Sequence, residues 1–415
     1  MKTAASTIAA LFLVLFVLTT FVPYPAARES AQAVDFSAEQ IDRGLQYTFE
    51  RRFFFWGATA LHLALLCVLA MTGAGRWLAD RFLEWTGERR ILAALGVGMV
   101  YVAAHELLWM PIGIARLYHA QSWGMSNLGL VDWLRDHAIS LAVNSTWEAV
   151  IVSGLYTLMI ALPRTWWLVA PIAGTGLGVA YAFLAPIVIN PLFNDFTPLS
   201  QTEWRQLQPR VQKLIGKAGV EVEEILVMNA SRQSNHSNAY FTGFGSTRRI
   251  VLYDNLLKKH SDAEVESILA HELGHWQHDH IVKGIMLAAF AAFLGFFLLD
   301  RILWFAVERP PWNLQSPADP AGLPLIVLLI FMGSWAVKPA ENCVSRYFER
   351  QADQASLDLA SEPDAFINAE KKLAADNIAN VAPTPWNVWI FATHPPTVER
   401  IQMARDWKEK QTKKE

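Results

Sequence analysis

The chain has 415 residues, 53% hydrophobic and only 18% charged, with 35 basic and 38 acidic side chains and a net charge of −3. A soluble domain runs nearer a quarter charged, so disorder, collagen and coiled coil are excluded as whole-chain descriptions, and nothing points to a nucleic-acid partner. Two cysteines, Cys67 and Cys343, exclude a disulfide scaffold and a cysteine-based zinc site, while 17 tryptophans suit a chain with much membrane interface.

Apolar runs near the ~20 residues that cross a bilayer organise the chain. Seven candidates fall at 8–22, 53–71, 91–110, 138–162, 166–189, 281–307 and 322–337. In the first, Lys2, a short apolar core, Pro23 and the small Ala26 and Ala27 also fit a signal peptide, although we read a membrane helix. This divides the chain into a membrane region (1–189, five candidate spans), a soluble segment (190–280), two spans (281–337) and a C-terminal segment (338–415). His105, Glu106 and Glu148 lie within spans, and Glu148 is expected to face an interior cavity. Arg76, Arg81, Arg89 and Arg90 oppose Arg28, Arg43, Arg51 and Arg52 in the short loops, which leaves orientation to the basic soluble stretches. Two spans separate those stretches, so they share one side, expected to be cytoplasmic.

In the first soluble stretch, Ser200 and Glu203 form a capping-box pattern that predicts a helix ending near Gly219. Residues 224–228 and 248–253 read as short strands rich in Ile, Leu and Val. Ser261 and Glu264 form a second capping box, opening a helix expected to run through at least His280.

That helix carries His271, Glu272 and His275 in a His-Glu-x-x-His pattern. Histidines at i and i+4 share one helix face, so both imidazoles can reach one zinc ion, one per chain. Glu272 points to the flank, where it can take a proton from the activated water without occupying the ion. His278 and His280 follow and are expected to be interfacial surface residues. His105 and Glu106 look like half of the same motif, but position 109 is Trp. A catalytic zinc needs a third ligand and an open position. After the seventh span, Glu349 and Asp353 share a helix face, so Glu349 can complete the site and Asp353 can hold a ligand histidine. Taken alone, these residues also fit an ordinary charged helix in which Glu349 pairs with Arg346 or Arg350.

With Ser345, Arg346, Glu349, Ala352 and Asp353 matching a Ser-Arg-x-x-Glu-x-x-Ala-Asp pattern downstream of the His-Glu-x-x-His helix, the sequence resembles the integral-membrane zinc metallopeptidases related to the type I CAAX prenyl endopeptidases. Further matching segments are Asn190 to Asn194 with Phe196, Asn238 to Phe241, Gly243 and Phe244, Arg249 to Leu252, and Thr393 to Pro396 with Arg400 and Ile401. The resemblance implies a mainly α fold, with about seven transmembrane helices enclosing a chamber and a gluzincin-like zinc protease domain with a small β-element. It implies Glu272 as general base, Asp353 as orienting group, and His394 and Arg400 as contacts to substrate or oxyanion. Asn238 and Ala239 would lie on an edge strand pairing with the substrate backbone. From the residues alone, His394 reads as a turn residue before Pro395, and Arg400 as a surface salt bridge.

The expected function is zinc-dependent hydrolysis of peptide bonds at the membrane, near the C-terminus of lipidated proteins. The alternatives are a quality-control protease or catalytically silent factor acting on hydrophobic membrane polypeptides, and a transporter. The partners are a polypeptide substrate and the lipid bilayer. Lys413 and Lys414 stand one position too late for a dilysine retrieval signal. That favours a bacterial inner membrane over the endoplasmic reticulum, the setting expected if the source is eukaryotic.

Overall fold

The computed structural model describes residues 2–243 and 248–413. Phe244 of the matched segment, and Lys414 and Glu415 of the C-terminus, lie outside the described residues.

The chain opens with α1 (Lys2–Phe21) and α2 (Pro25–Ala33), a pair bent by 42° at the intervening prolines. Phe12 of α1 packs against Trp56, Phe331 and Trp335, and Thr19 Oγ1 accepts a 3.2 Å hydrogen bond from Trp56 Nε1. The first apolar run is thus seated on the bundle. Next come α3 (Ala38–Met71), α4 (Ala74–Thr86), α5 (Arg90–Ser122), α6 (Leu130–Ala161) and α7 (Trp166–Leu184). A capping box of Ser37 and Gln40 starts α3, well before its apolar run, so the span continues a longer polar helix.

Among the described residues, six helices are long and apolar enough to cross a membrane, seven if the bent pair counts as one span. The most apolar windows of α6, α7 and α11 (His280–Ala306) are 0% buried against the rest of the protein. Such continuous apolar surface needs lipid, not water, as its solvent. The helices enclose a membrane chamber, and polar groups of the spans meet one another. His62 Nε2 lies 2.8 Å from Tyr101 Oη, and His137 Nε2 lies 2.9 Å from Glu106 Oε2.

The stretch between the fifth and sixth apolar runs builds a four-stranded sheet from β1 (Phe196–Pro198), β2 (Glu224–Met228), β3 (Ala239–Thr242) and β4 (Arg249–Tyr253), in the order β1-β2-β4-β3. The Ile-, Leu- and Val-rich β2 and β4 pair in parallel at the centre, while β3 pairs antiparallel with β4 and has no strand on its other edge among the described residues. Val227, Ile250 and Leu252 pack with Leu214 of α8 (Gln208–Ala218), Leu256 of α9 (Asp254–Lys259) and Leu269 of α10 (Asp262–Gln277).

Two helix boundaries differ from expectation. The Ser200–Glu203 box does not form: residues 199–207 make two short 3-10 turns, and α8 opens at Gln208. Pro209 fits the first turn of a helix but would break one begun at Gln201. The predicted stop is met, since Gly219 adopts φ 67°. The second box forms, with Ser261 N donating to Glu264 Oε2 at 2.8 Å and Glu264 N to Ser261 Oγ at 3.4 Å. Its helix ends at Gln277 rather than running through His280, because Asp279 takes φ 53° and turns the chain into α11.

The longest helix, α12 (Leu323–Ala360), passes without a break from its apolar half into the half bearing Glu349 and Asp353, so the division at 337/338 falls inside one element. It packs closely on α10 at Gly274, where a Cβ would meet Ala355 Cβ at 2.8 Å and Ala352 O at 3.0 Å. Three helices complete the fold: α13 (Pro363–Asp376), α14 (Pro385–Phe391) and α15 (Thr397–Thr412).

Candidate metal centre

The close crossing of α10 and α12 brings His271, His275 and Glu349 together. His271 Nε2 and His275 Nε2 are 3.2 Å apart, and Glu349 carboxylate oxygens lie 3.2 Å from His271 Nε2 and 3.5 Å from His275 Nε2. Tetrahedral donors at the zinc–nitrogen distance of roughly 2.0–2.1 Å stand about 3.3 Å from one another. The three atoms therefore form a ready face for one cation. Glu349 Oε2 is buried without a hydrogen-bond partner among the described residues, as an oxygen aimed at a metal would be. This donor set fits a divalent metal.

Each histidine is oriented from behind. His271 Nδ1 donates to Asp353 Oδ1 at 2.8 Å. His275 Nδ1 meets His280 Nδ1 at 3.0 Å, and His280 Nε2 meets Gln351 Oε1 at 3.1 Å. One tautomer set satisfies that chain: His275 donates to His280, and His280 donates to Gln351. His280 is thus not the surface residue expected; it is buried and stacked on Phe348 at 4.3 Å. Burial holds the His275 imidazole down at about 4, leaving it a neutral donor. Burial also opposes charge on His271, but Asp353 and Glu349 raise it to about 10. A cation at Nε2 would displace that proton.

Glu272 lines a cavity of about 340 Å³ together with His271, Asn238, Ala239, His394 and Arg400. Burial, reinforced by the Glu349 carboxylate, pushes Glu272 up to about 7, while His271 and Arg400 act in the opposite direction. The Phe241 amide of β3 hydrogen-bonds to its carboxylate. Asn238 immediately precedes β3, and its side chain accepts from the Ala239 amide at 2.9 Å. Ala239 opens the strand whose other edge is unpaired among the described residues.

His394 reaches the centre from the loop after α14. Its Nε2 lies 3.3 Å from Glu349 Oε2, and its side chain is 58% exposed. α12 fixes that loop: Arg346 Nη1 donates to Val388 O at 2.9 Å and Ala392 O at 2.7 Å, and Asn342 Nδ2 to Ile390 O at 2.7 Å. Arg346 thus holds the His394 loop and does not pair with Glu349. Arg400 is neither a surface salt bridge nor open to the cavity along its whole guanidinium. It is largely buried, joined to Asp353 and, at 2.7 Å, to Glu370 Oε2. Glu370, His280 and Asn342 were not legible as site residues. The near repetition in His278 and His280 was a signal for one of them, and the helical spacing of Asn342, Arg346 and Glu349 for another. Glu370 had none.

Comparison with known proteins covers both halves. The profile of peptidase family M48 matches residues 201–408, and that described as CAAX prenyl protease N-terminal, five membrane helices, matches 24–195. The uncharacterized metalloprotease YhfN of Bacillus subtilis (strain 168) is 30% identical over 362 residues, covering 86% of this chain and 84% of its own length. The CAAX prenyl protease 1 homolog of Oryza sativa subsp. japonica is 35% identical over 236 residues, and there the match spans about half of each protein, 53% and 51%. The crystal structure of S. mikatae Ste24p shares the fold, with a TM-score of 0.80 at 22% identity over 96% of this chain and 98% of that one. Matches that run from the membrane helices through the His–His–Glu centre define a membrane-embedded metallopeptidase. Half of the chain falls under one peptidase profile and a relative is 30% identical along most of its length; the chain belongs to peptidase family M48.

Proposed function

We propose that the chain is a zinc-dependent endopeptidase that cleaves near the C-terminus of lipidated, membrane-associated polypeptides. The carrying observation is the triangle of donors at 3.2–3.5 Å, with a buried glutamate directly beside it in sequence. His271, His275 and Glu349 would hold the zinc. When bound, it supplies Lewis-acid polarisation of the scissile carbonyl and a lowered water pKa.

The remaining work falls to the chain's own groups. Glu272 accepts the water proton and passes it to the leaving amine; a buried carboxyl raised towards neutrality suits both halves of that transfer. Asp353 fixes the His271 ring and tautomer. His394, exposed beside Glu349, is the group free to donate to the developing oxyanion. Arg400 acts on the site through Asp353 as a positioning residue. Asn238 and Ala239 present the open edge of β3 to an extended substrate, which supplies backbone hydrogen bonds at little sequence cost.

The likeness to CAAX prenyl proteases supports a lipidated C-terminal substrate. The relative of similar extent in Bacillus subtilis supports a bacterial membrane as the setting, and the Lys and Arg residues carried by 190–280 and 338–415 favour the cytoplasm for both. Mass spectrometry of products from matched peptides, with and without a prenyl group, tests the reading. Cleavage near the C-terminus of the lipidated peptide is expected, and absence of any hydrolysis by metal-loaded protein would refute it.

A further inference from the structure

Beside the cavity at Glu272 lies a second one of about 550 Å³, between α3 and α5, whose lining includes Arg51, Arg52, Arg116, Trp133, His236 and Phe391. Its charge balance is unusual. None of the three arginines has an acidic partner among the described residues. Arg52 Nη1 is buried with no hydrogen-bond acceptor, and its guanidinium sits 3.9 Å over the Phe391 ring. Arg51 is close enough to repel both Arg52 and Arg116. The neighbouring acid, Glu50, is engaged elsewhere, accepting from His119 Nε2 and Trp123 Nε1 at 2.8 Å each. Three guanidiniums converging without a counter-charge oppose folding unless an anion joins them.

We propose that this cavity receives the α-carboxylate at the C-terminus of the substrate. The proposal rests on the peptidase reading and adds to it what recognises the end of the chain. The argument is one of direction. A substrate lying antiparallel on the open edge of β3 places its C-terminal residues beyond Ala239, towards His236. His236 lines the arginine cavity, and its neighbour Ser237 lines the cavity of Glu272. Asn377 joins the two, accepting from His236 Nδ1 at 2.9 Å. His236 and Ser237, adjacent in sequence, line one cavity each, so an extended tail advancing ~3.3 Å per residue leads from one to the next within a few residues. A carboxylate is planar and forked, matching a guanidinium with two parallel hydrogen bonds. The aromatic walls of Trp133 and Phe391 exclude the water that would otherwise screen that pairing.

The test is a pair of substrates differing only at the end, one a free acid and one a C-terminal amide, cleaved by purified zinc-loaded protein. The acid should be preferred in kcat/KM by roughly 10- to 100-fold. In Arg52→Gln and Arg116→Gln that ratio should fall towards one, while Arg28→Gln, which breaks the Arg28–Asp42 surface pair, should keep it. Equal cleavage of acid and amide by the wild type, or a ratio unchanged in both cavity variants, overturns the proposal. Should the variants melt early, calorimetry on the wild type decides, with trialanine as acid and as amide. Tighter binding of the acid is expected, and equal binding refutes the site. If phosphatidylglycerol micelles raise the melting temperature of the wild type but not of Arg52→Gln, and acid and amide bind alike, the cavity takes a lipid phosphate and the carboxylate assignment is wrong. Should the wild type hydrolyse neither substrate, the peptidase reading fails, and the tripeptide measurement still judges the cavity.

Discussion

Arg400 grips Asp353 with two hydrogen bonds, Nε to Oδ2 at 2.9 Å and Nη2 to Oδ1 at 2.5 Å, and the same Oδ1 lies 2.8 Å from His271 Nδ1. A residue near the C-terminus therefore sets the orientation of a metal-facing histidine on another helix. Arg400→Ala should lower the melting temperature and metal retention together. It leaves Asp353 and Glu370 buried without their cation, a loss of about 3–5 kcal/mol. In a double-mutant cycle, Arg400→Ala and Glu370→Gln should couple by more than about 1 kcal/mol. A large fall in kcat per metal-loaded molecule, with melting and metal content intact, would instead make Arg400 a direct substrate contact.

Metal content follows from the donor triangle. The wild type should hold one zinc per chain, and His271→Ala and Glu349→Ala should each lose it. Added zinc should raise the melting temperature of the chelated wild type, since a ligand at 100 times its Kd stabilises by about 2.7 kcal/mol. Full occupancy in either variant, measured by elemental analysis, removes that residue from the ligand set.

Glu272→Gln should keep metal and fold while losing about a hundredfold or more in turnover, because a carboxamide takes no proton. The same residue sets a pH limb. A base must be ionised, so activity falls as pH drops through its pKa. Burial raises that pKa to about 7, and a nearby cation lowers it, so the acid limb of kcat/KM should lie between the ordinary glutamate value of about 4.3 and about 7. A midpoint above that window assigns the limb to another group.

His280→Phe should preserve the stacking on Phe348 while removing the partner of His275 Nδ1. Loss of such an outer partner typically weakens metal binding 10- to 100-fold, read in a competition titration with a chelator. Unchanged affinity would reduce His280 to a packing role.

Cysteines introduced near Lys217 and Lys408 should label from one side of the membrane. Lys217 Nζ already donates to Leu359 O at 3.0 Å, which ties the first soluble stretch to the end of α12. Labelling from opposite sides would be incompatible with one shared metal centre.

The legible parts of this chain are local. Apolar length marked the spans, and the i, i+4 pair of His271 and His275 carried its own geometry. Ser261 with Glu264 named a helix start because both halves of the box lie within one turn. The Ser200–Glu203 pattern misled because Pro209, eight residues after the expected start, was the stronger constraint. His280 was misread because the turn at Asp279 reverses which side of the chain it presents. Glu370 was invisible for a different reason. Its meaning comes from Arg400 and Asp353, which reach it from two other helices, and no spacing along α13 announces that meeting. Arg400 was found by resemblance, and its bonds to Asp353 and Glu370 could not be read from any spacing along α15.

One feature of α12 reaches beyond the site. From the middle of its apolar half to Glu349 the helix covers roughly 28 Å at 1.5 Å per residue. A lever of that length turns a tilt of about 5° in the bilayer into a displacement of roughly 2.5 Å at the carboxylate, more than a metal bond tolerates. The tight seat of Gly274 against Ala352 and Ala355 is therefore a clamp on the lever's far arm. It keeps the carboxylate in register with His271 and His275 on α10, at the far end of a helix whose apolar arm is packed into the bundle at Leu323, Ile326 and Leu328.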